Sequence, residues 1–396
     1  MVSRLWPALG TQDRPWHSKI PPDLMSSRVR ERHSGPYQAA RAPEIAGQAL
    51  TLTAEVTALA EDASVEIARF DAELGAEVAP FASVLLRSES ASSSKIENLT
   101  SGAKSIAMAE LGSRDKRNAT QIVGNVAAML AALALADRLD EDAVLAMHEA
   151  LLAGIQPDIA GRWREEQVWI GGDSFGPHGA AFIPPPHDQV PALMADLVAF
   201  MRRTDLPLLA QAAVAHAQFE TIHPFSDGNG RTGRALIHAM LRAHDLTRNV
   251  TVPVSAGLLV DTGGYFDALT AYRDGDPIKI IIRLANASFA AATNGRQLVL
   301  ELKAIRRAWE DKIKSRRGAT AWRLADVLLR QPVIDTPSVA RELGVTSQNA
   351  LRAVKPLVDA DILEEFTGFG RNRMWQSRQV LNALDDFAAR AGRRGG

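Results

Sequence analysis

Between Leu208 and His244 the sequence reads as helix, short glycine-bearing loop, helix, and that loop constrains the chain more than any other segment. It runs His223-Pro224-Phe225-Ser226-Asp227-Gly228-Asn229-Gly230-Arg231-Thr232-Gly233-Arg234. A histidine, the usual general base near neutral pH, closes the first helix. A carboxylate, Asp227, follows in the turn. Gly228 and Gly230 leave backbone N–H groups unobstructed and permit unusual dihedrals. The second helix then starts with unpaired N–H groups and the positive end of its dipole facing the same loop, which makes an anion site. Arg231 and Arg234 lie about one helical turn apart and share a face. Base, metal-binding acid, amide nest and two cations in one short segment suit a polyphosphate.

Simpler readings of these letters fit less well. Gly228-x-Gly230-x-x-Gly233 satisfies the dinucleotide GxGxxG pattern, but that pattern needs a preceding strand, and Ala-Val-Ala-His-Ala-Gln-Phe-Glu-Thr-Ile reads as helix. No lysine follows as a P-loop requires. A plain turn between helices would not need His, Asp, Asn and two Arg together.

Most of the chain reads as amphipathic or buried helix: Pro43 to Phe70, Phe81 to Asn98, Asn118 to Leu139, Glu141 to Leu152, Val190 to Arg202, Gly263 to Tyr272 and Pro277 to Ala291, with Asn294 to Arg317 a charged helical connector. Residues 1–40 show no sustained period and read as an extended arm packed through Trp6 and Trp16. The exception to helix is Gln167 to Pro186. Two short apolar runs there flank a glycine-rich tip and read as a β-hairpin, left by the extended Pro184-Pro185-Pro186. The 396 residues allow two or three units. Net charge of −1 carries no signature for nucleic acid or an anionic membrane. The absence of cysteine excludes disulfides and thiolate chemistry and fits a cytoplasmic setting. The longest apolar run, Val126 to Ala136, is short of a membrane span, and the first residues lack the apolar core of a signal peptide.

The segment 223–234 resembles the HxFx(D/E)GNGRxxR signature of Fic-domain proteins at every fixed position. The resemblance extends over about residues 35–295, including Val252-Pro253-Val254-Ser255-Ala256-Gly257. It implies a mainly α fold: a Fic-type helical core with a small β-hairpin flap. It also implies AMP transfer from ATP, with Mg²⁺, onto a Ser, Thr or Tyr hydroxyl of a target protein. His223 would take the hydroxyl proton, and Asp227 would hold the metal. Gly228, Asn229 and Gly230 would cradle the phosphates, with Gly233 in the same phosphate-binding segment. Arg231 would neutralise pyrophosphate, Arg234 would hold the γ-phosphate and Phe225 would anchor the loop. Trp169, Ile170, Gly171, Gly172, Phe182 and Ile183 would form a flap along which a target segment pairs. Tyr265 and Tyr272 either border the adenine or are core residues. His216 and His238 read as structural, and His178 and His187 are given no role.

A built-in inhibitor is implied by the same resemblance. Ser93 and Glu97 are spaced i,i+4, and Ser93 to Asn98 fits the (S/T)xxxE(G/N) pattern of members with an N-terminal inhibitory helix; Leu86-Arg87-Ser88-Glu89 resembles its upstream context. Glu97 would pair with Arg234 and occupy the cation meant for the γ-phosphate.

Residues 336–354 and the runs at 362–375 resemble a winged helix-turn-helix, in which Gly344 ends one helix and Thr346 or Ser347 caps the next. From Gly318 to the end, ten Arg and one Lys face six Asp and three Glu, a net charge of only +2. Arg352, Lys355, Arg371 and Arg373 are the candidates for DNA phosphates, but a protein-contact or dimerisation role is favoured. The expected organisation is an arm over 1–40, a helical region with the inhibitory helix over 41–117, the Fic core with its flap (167–186) over 118–295, a connector over 296–317 and the winged helix over 318–396. The expected partners are ATP, an unnamed target protein, the chain itself as substrate or in a homodimer, and DNA as the less favoured alternative for the C-terminal module; no membrane is expected. A DNA-binding regulator with a nucleotide-sensing core, or removal of AMP or transfer of another phosphate group, are the alternative activities.

Overall fold

The computed structural model describes residues 6–392 apart from 19, 76–79, 317 and 369–371. These residues form sixteen α-helices and short antiparallel strands, gathered into two compact units. The expected Arg371 contact lies outside the described residues.

The first unit comprises residues up to 61, 131–243 and 263–283. The helix Leu208–Ile222 runs through its centre, and every residue from Leu209 to Ile222 is buried. A helix enclosed on all sides must satisfy its polar side chains internally. Gln211 donates to the carbonyls of Phe200, Met201 and Arg203. Gln218 donates to Pro43 O and accepts from the Tyr272 hydroxyl at 2.9 Å. Around it stand the helices Glu141–Leu152, Val190–Met201, Asn229–Ala243 and Thr262–Arg273.

The N-terminal arm is more ordered than its composition predicts. Gly10–Arg14 pairs antiparallel with Tyr37–Arg41, from Gly10 opposite Arg41 to Arg14 opposite Tyr37. A short helix, Ser27–Arg32, lies between them, capped by Ser26. Trp6 packs against Phe200 and Tyr272, and Trp16 packs edge-on against Tyr37 and Trp169, as the two tryptophans predict. Helix does not begin at Pro43. Residues 43–53 are irregular, with Asp196 accepting from the N–H groups of Ile45 (2.6 Å) and Ala46 (3.1 Å).

The second unit comprises residues 62–130, 244–262 and 284 onward. Ala54–Gly75 falls mostly within it and starts where the Thr53 hydroxyl accepts from Val56 N. Pro80–Ile96, Ala103–Glu110, Arg117–Ala134 and Val254–Leu259 follow. The helix and connector expected on either side of residue 293 are one 33-residue helix, Ile278–Glu310. Gly295 does not break it, because packing decides there: a Cβ at Gly295 would stand 2.8 Å from the Phe70 ring.

The C-terminal part runs helix Thr320–Arg330, strand Val333–Asp335, helices Thr336–Leu343 and Ser347–Asp359, strands Glu364–Glu365 and Met374–Gln376, and helix Arg378–Ala391. Met374–Gln376 is the middle strand, antiparallel to both others. Asp335 and Ser338 form a capping box on the first helix of the central pair. Gly344, left-handed at φ 65°, closes that helix, and Thr346 caps the next.

Candidate active-site loop

The site is built around a strained residue. His223 caps the Leu208–Ile222 helix in the left-handed region, at φ 50° and ψ 61°. A non-glycine residue held there costs of order 1–3 kcal/mol and persists only where the surroundings enforce it. Here they do. Arg164, 3% exposed, donates through Nε to His223 O at 2.8 Å and through Nη1 to Glu166 O at 2.9 Å. Its Nη2 reaches Pro185 O and Ile222 O, and its backbone N–H donates to Pro224 O at 2.9 Å. Burial lowers the Arg164 pKa to about 10, which still leaves it charged. The imidazole of His223 stands 3.9 Å from the carboxylate of Glu220, one turn back.

The rest of the loop is fixed from three sides. Phe225 is fully buried between His148, with ring centroids 3.6 Å apart, and Trp163, at 5.0 Å. His148 accepts from Gly161 N through Nδ1 at 3.0 Å, so its Nε2 carries the proton and donates to Asp227 O, also at 3.0 Å. Burial holds this imidazole neutral, lowering its pKa to about 4. Asn229 forms the third tie. Its Oδ1 accepts from Phe225 N and its Nδ2 donates to Phe225 O, both at 2.8 Å. The Asn229 side chain is therefore committed to the loop, and what it offers a ligand is its backbone N–H.

The helix Asn229–Ala243 begins directly after the turn, its first hydrogen bond running from Thr232 N to Gly228 O. The N–H groups of Asn229, Gly230 and Arg231 precede that bond and have no intrahelical acceptor. Gly228 has φ +80°, and a Cβ there would lie 2.8 Å from Leu151, so the turn needs glycine on both counts. Gly233 serves differently: a Cβ would meet Phe219 at 2.9 Å and His216 at 3.2 Å, so its bareness lets two helices approach. Arg231 and Arg234 are 3% and 1% exposed, one turn apart on this helix. Arg231 reaches Asp227 Oδ1 at 3.2 Å.

The Asp227 carboxylate is 45% exposed. Oδ1 also accepts from Gly228 N at 2.6 Å, and Oδ2 from Gln156 at 3.2 Å. Among the described residues no group of three or more His, Asp and Glu side chains could hold a metal ion by itself. That donor set still fits Mg²⁺, which commonly takes one or two carboxylates and completes its shell with substrate phosphates and water.

The flap is less regular than expected. Ile170 and Phe182 form a single antiparallel bridge, with Ile170 N donating to Phe182 O at 2.8 Å and Ala181 N to Ile170 O at 2.8 Å. Gly171 and Gly172, both at φ 75°, turn the chain away at once, and the three prolines prevent a ladder on the return. Ile183 O accepts from Ala40 N at 2.9 Å, and Trp169 donates to Asp173 O at 2.8 Å. Tyr265 and Tyr272 are core residues, 1% and 2% exposed. The Tyr265 hydroxyl lies 2.8 Å from His216 Nε2. Burial, reinforced by the Arg234 charge, lowers the His216 pKa to about 3.

In the second unit Ser93 is fully buried on the helix Pro80–Ile96, and Glu97 follows the last helical residue with its side chain exposed. Asn98 adopts φ 59°; its N–H donates to Lys95 O and that of Leu99 to Ser94 O, both at 3.0 Å. These paired bonds are a Schellman ending, with Asn98 as its left-handed residue. Asn125 ties the helix from the side, donating to Ser90 O at 2.8 Å and Ser94 Oγ at 3.2 Å. Glu89, also fully buried, accepts from Ser255 N at 2.8 Å and Ser255 Oγ at 2.5 Å.

The left-handed histidine, the pinned glycine turn and the two buried arginines all fall within residues 138–241, which match the Fic/DOC family model, so the chain contains a Fic domain. It is 32% identical over 108 residues to the protein adenylyltransferase fic-1 of Caenorhabditis elegans, a match covering 26% of this chain and 20% of the relative. It is 44% identical over 64 residues to a probable protein adenylyltransferase of Aquifex aeolicus, covering 16% and 20%. The chain thus matches about a fifth of the length of these relatives. A Fic family protein from Desulfovibrio desulfuricans shares the fold at a TM-score of 0.51 and 22% identity, covering 85% of this chain and 98% of its own.

Proposed function

We propose that this chain is a protein adenylyltransferase that moves AMP from ATP to a Ser, Thr or Tyr hydroxyl of a target protein. The observation that carries this reading is the left-handed His223 set beside the N-terminus of a helix that brings two buried arginines to one loop. ATP phosphates would lie against the N–H groups of Asn229, Gly230 and Arg231, where the helix dipole favours anions. His223 would accept the proton of the attacking hydroxyl. The hydroxyl oxygen bonds to the α-phosphorus, the α–β phosphoanhydride breaks, and pyrophosphate carries away the displaced charge, stabilised by Arg231 and Arg234. Mg²⁺ would be held by Asp227 and would neutralise phosphate charge. The segment around Ile170 and Phe182 would receive the target, presenting few strand bonds and leaving selection to its side chains.

Glu97 would restrain the reaction by competing for Arg234. The supporting facts are the sequence pattern at 93–98 and the Schellman ending that fixes where Glu97 leaves its helix. The C-terminal elements support a winged helix-turn-helix used for protein contact. Several of its described basic side chains are paired within the module: Lys355 with Asp359 at 2.8 Å, Arg373 with Glu365 and Arg378 with Glu364. Salt-sensitive binding to duplex DNA in a titration would reverse that reading.

The test is self-labelling with ATP labelled at the α-phosphate. Glu97→Gly is expected to label at least tenfold faster than the natural chain, and Glu97→Gly with His223→Ala to label at background. Equal labelling with and without His223 would remove the mechanism. Equal labelling with and without Glu97 would remove the brake.

A further inference from the structure

One cavity, wholly within the second unit, belongs to none of the parts above. It encloses about 450 Å³ between the helix Pro80–Ile96, the segment 99–106 and the C-terminal helix Arg378–Ala391. That volume is in the range of small-molecule sites. Leu99, Ile106, Ile122, Leu384 and Phe387 give it apolar lining. The helix contributes Ser88, Ala91, Ser92 and Lys95, spaced i, i+3, i+4 and i+7, so one face of it looks into the space.

The charges are unevenly committed. Arg87 is engaged, through Nε with Glu110 at 2.6 Å and through Nη1 with Arg330 O at 2.5 Å. Asp385 accepts from Ala103 N at 2.9 Å, capping the helix Ala103–Glu110. Lys95 donates to Ala388 O at 3.3 Å, a single long bond among the described residues for a group with three donors. The cavity therefore combines apolar walls with serine hydroxyls and one ammonium that has donors to spare.

We propose that this cavity binds a small amphipathic anion, its apolar body between Ile122 and Phe387 and its carboxylate on Lys95. Lys95 O accepts from Asn98 N in the ending that orients Glu97, so a ligand that draws Lys95 from Ala388 O would disturb that ending and lift the restraint on AMP transfer. This regulatory part rests on the function proposed above; the binding part does not.

Decanoate and its uncharged counterpart decanol serve as probes for the full chain, followed by displacement of the fluorescent anion anilinonaphthalene sulfonate. Decanoate is expected to saturate one site. Ala91→Phe, which fills the cavity, should weaken both probes about tenfold or more. Lys95→Met, which keeps the volume, should weaken decanoate about tenfold and leave decanol unchanged. Circular dichroism checks that each variant is folded, and if Ala91→Phe is not, Lys95→Met decides alone. Non-saturating binding, or equal loss of both probes in Lys95→Met, overturns the site. With decanoate bound, self-labelling of the natural chain should rise toward the Glu97→Gly rate while Glu97→Gly stays unchanged. An unmoved natural rate at full occupancy removes the regulatory role. A Glu97→Gly chain that labels at background instead refutes the proposed activity and leaves the binding result to stand or fall by itself.

Discussion

His148 and Phe225 stack face to face, ring centroids 3.6 Å apart and planes 5° from parallel, and this contact holds the floor of the candidate active-site loop. Because Nδ1 accepts from Gly161 and Nε2 donates to Asp227, only the neutral ring satisfies both neighbours. Burial lowers its folded pKa to about 4, below the ordinary imidazole value of 6.5. The unfolded chain therefore takes up a proton first as pH falls, and stability decreases as pH drops from 6.5 through 4. The full shift is worth about 3 kcal/mol. His216, lowered to about 3, acts in the same direction. Denaturant melts at pH 7 and pH 4.5 should show the loss. His148→Gln should be less stable at pH 7 and should show a shallower pH dependence than the natural chain.

Arg164 gives a sharper test, because its guanidinium serves four carbonyls at once, those of His223, Glu166, Pro185 and Ile222. Arg164→Met would leave these acceptors without their donor, at a cost of about 3 kcal/mol. Arg164→Lys should recover little of it, since one ammonium cannot match the planar fork. With the His223 backbone released, labelling by a Glu97→Gly chain should fall at least tenfold while ATP affinity, read by calorimetry, changes little. A matched loss of affinity and rate would show that Arg164 supports the phosphate cradle and not the histidine.

The two bonds between Asn229 and the Phe225 backbone demand one donor and one acceptor on the same side chain. Asn229→Asp keeps the acceptor, removes the donor and places two buried oxygens face to face. It should destabilise the chain by about 2 kcal/mol and slow labelling more than Asn229→Ala does. If Ala proves the worse of the two, the lost tie to Phe225 N outweighs the repulsion at Phe225 O.

The loop was readable in the sequence because its chemistry is local: histidine, glycines and arginines act within one turn and one helix start. Arg164 was not, because its partners lie as far as 59 residues along the chain and its neighbours Arg162, Glu165 and Glu166 make the stretch look like solvated surface. His148 did leave a signal. It falls with Val144, Met147 and Leu151 on the buried face of its helix. The strands at 10–14 and 37–41 show no such pattern, since only their pairing defines them. The helix start at Ala54 was marked by Thr53, but the alanine-rich stretch before it masked the cap. The stretches Pro277 to Ala291 and Asn294 to Arg317 read as separate helical segments, but they join in one helix, within which Gly295 makes room for Phe70.

Gly233 separates two roles that the signature cannot. As a phosphate ligand it would matter through its N–H, which alanine keeps. As a spacer it matters through its missing Cβ, which would sit 2.9 Å from Phe219 and 3.2 Å from His216. Neither ring can retreat freely, because Phe219 is fully buried and His216 is bonded to Tyr265. Gly233→Ala should therefore cost about 1–3 kcal/mol by overpacking, seen as a lower denaturation midpoint with unchanged slope. A second change that frees space, His216→Ala with Gly233→Ala, should recover part of the loss relative to the sum of the single changes. A stable Gly233→Ala chain that has lost ATP binding would instead place this residue at the phosphates.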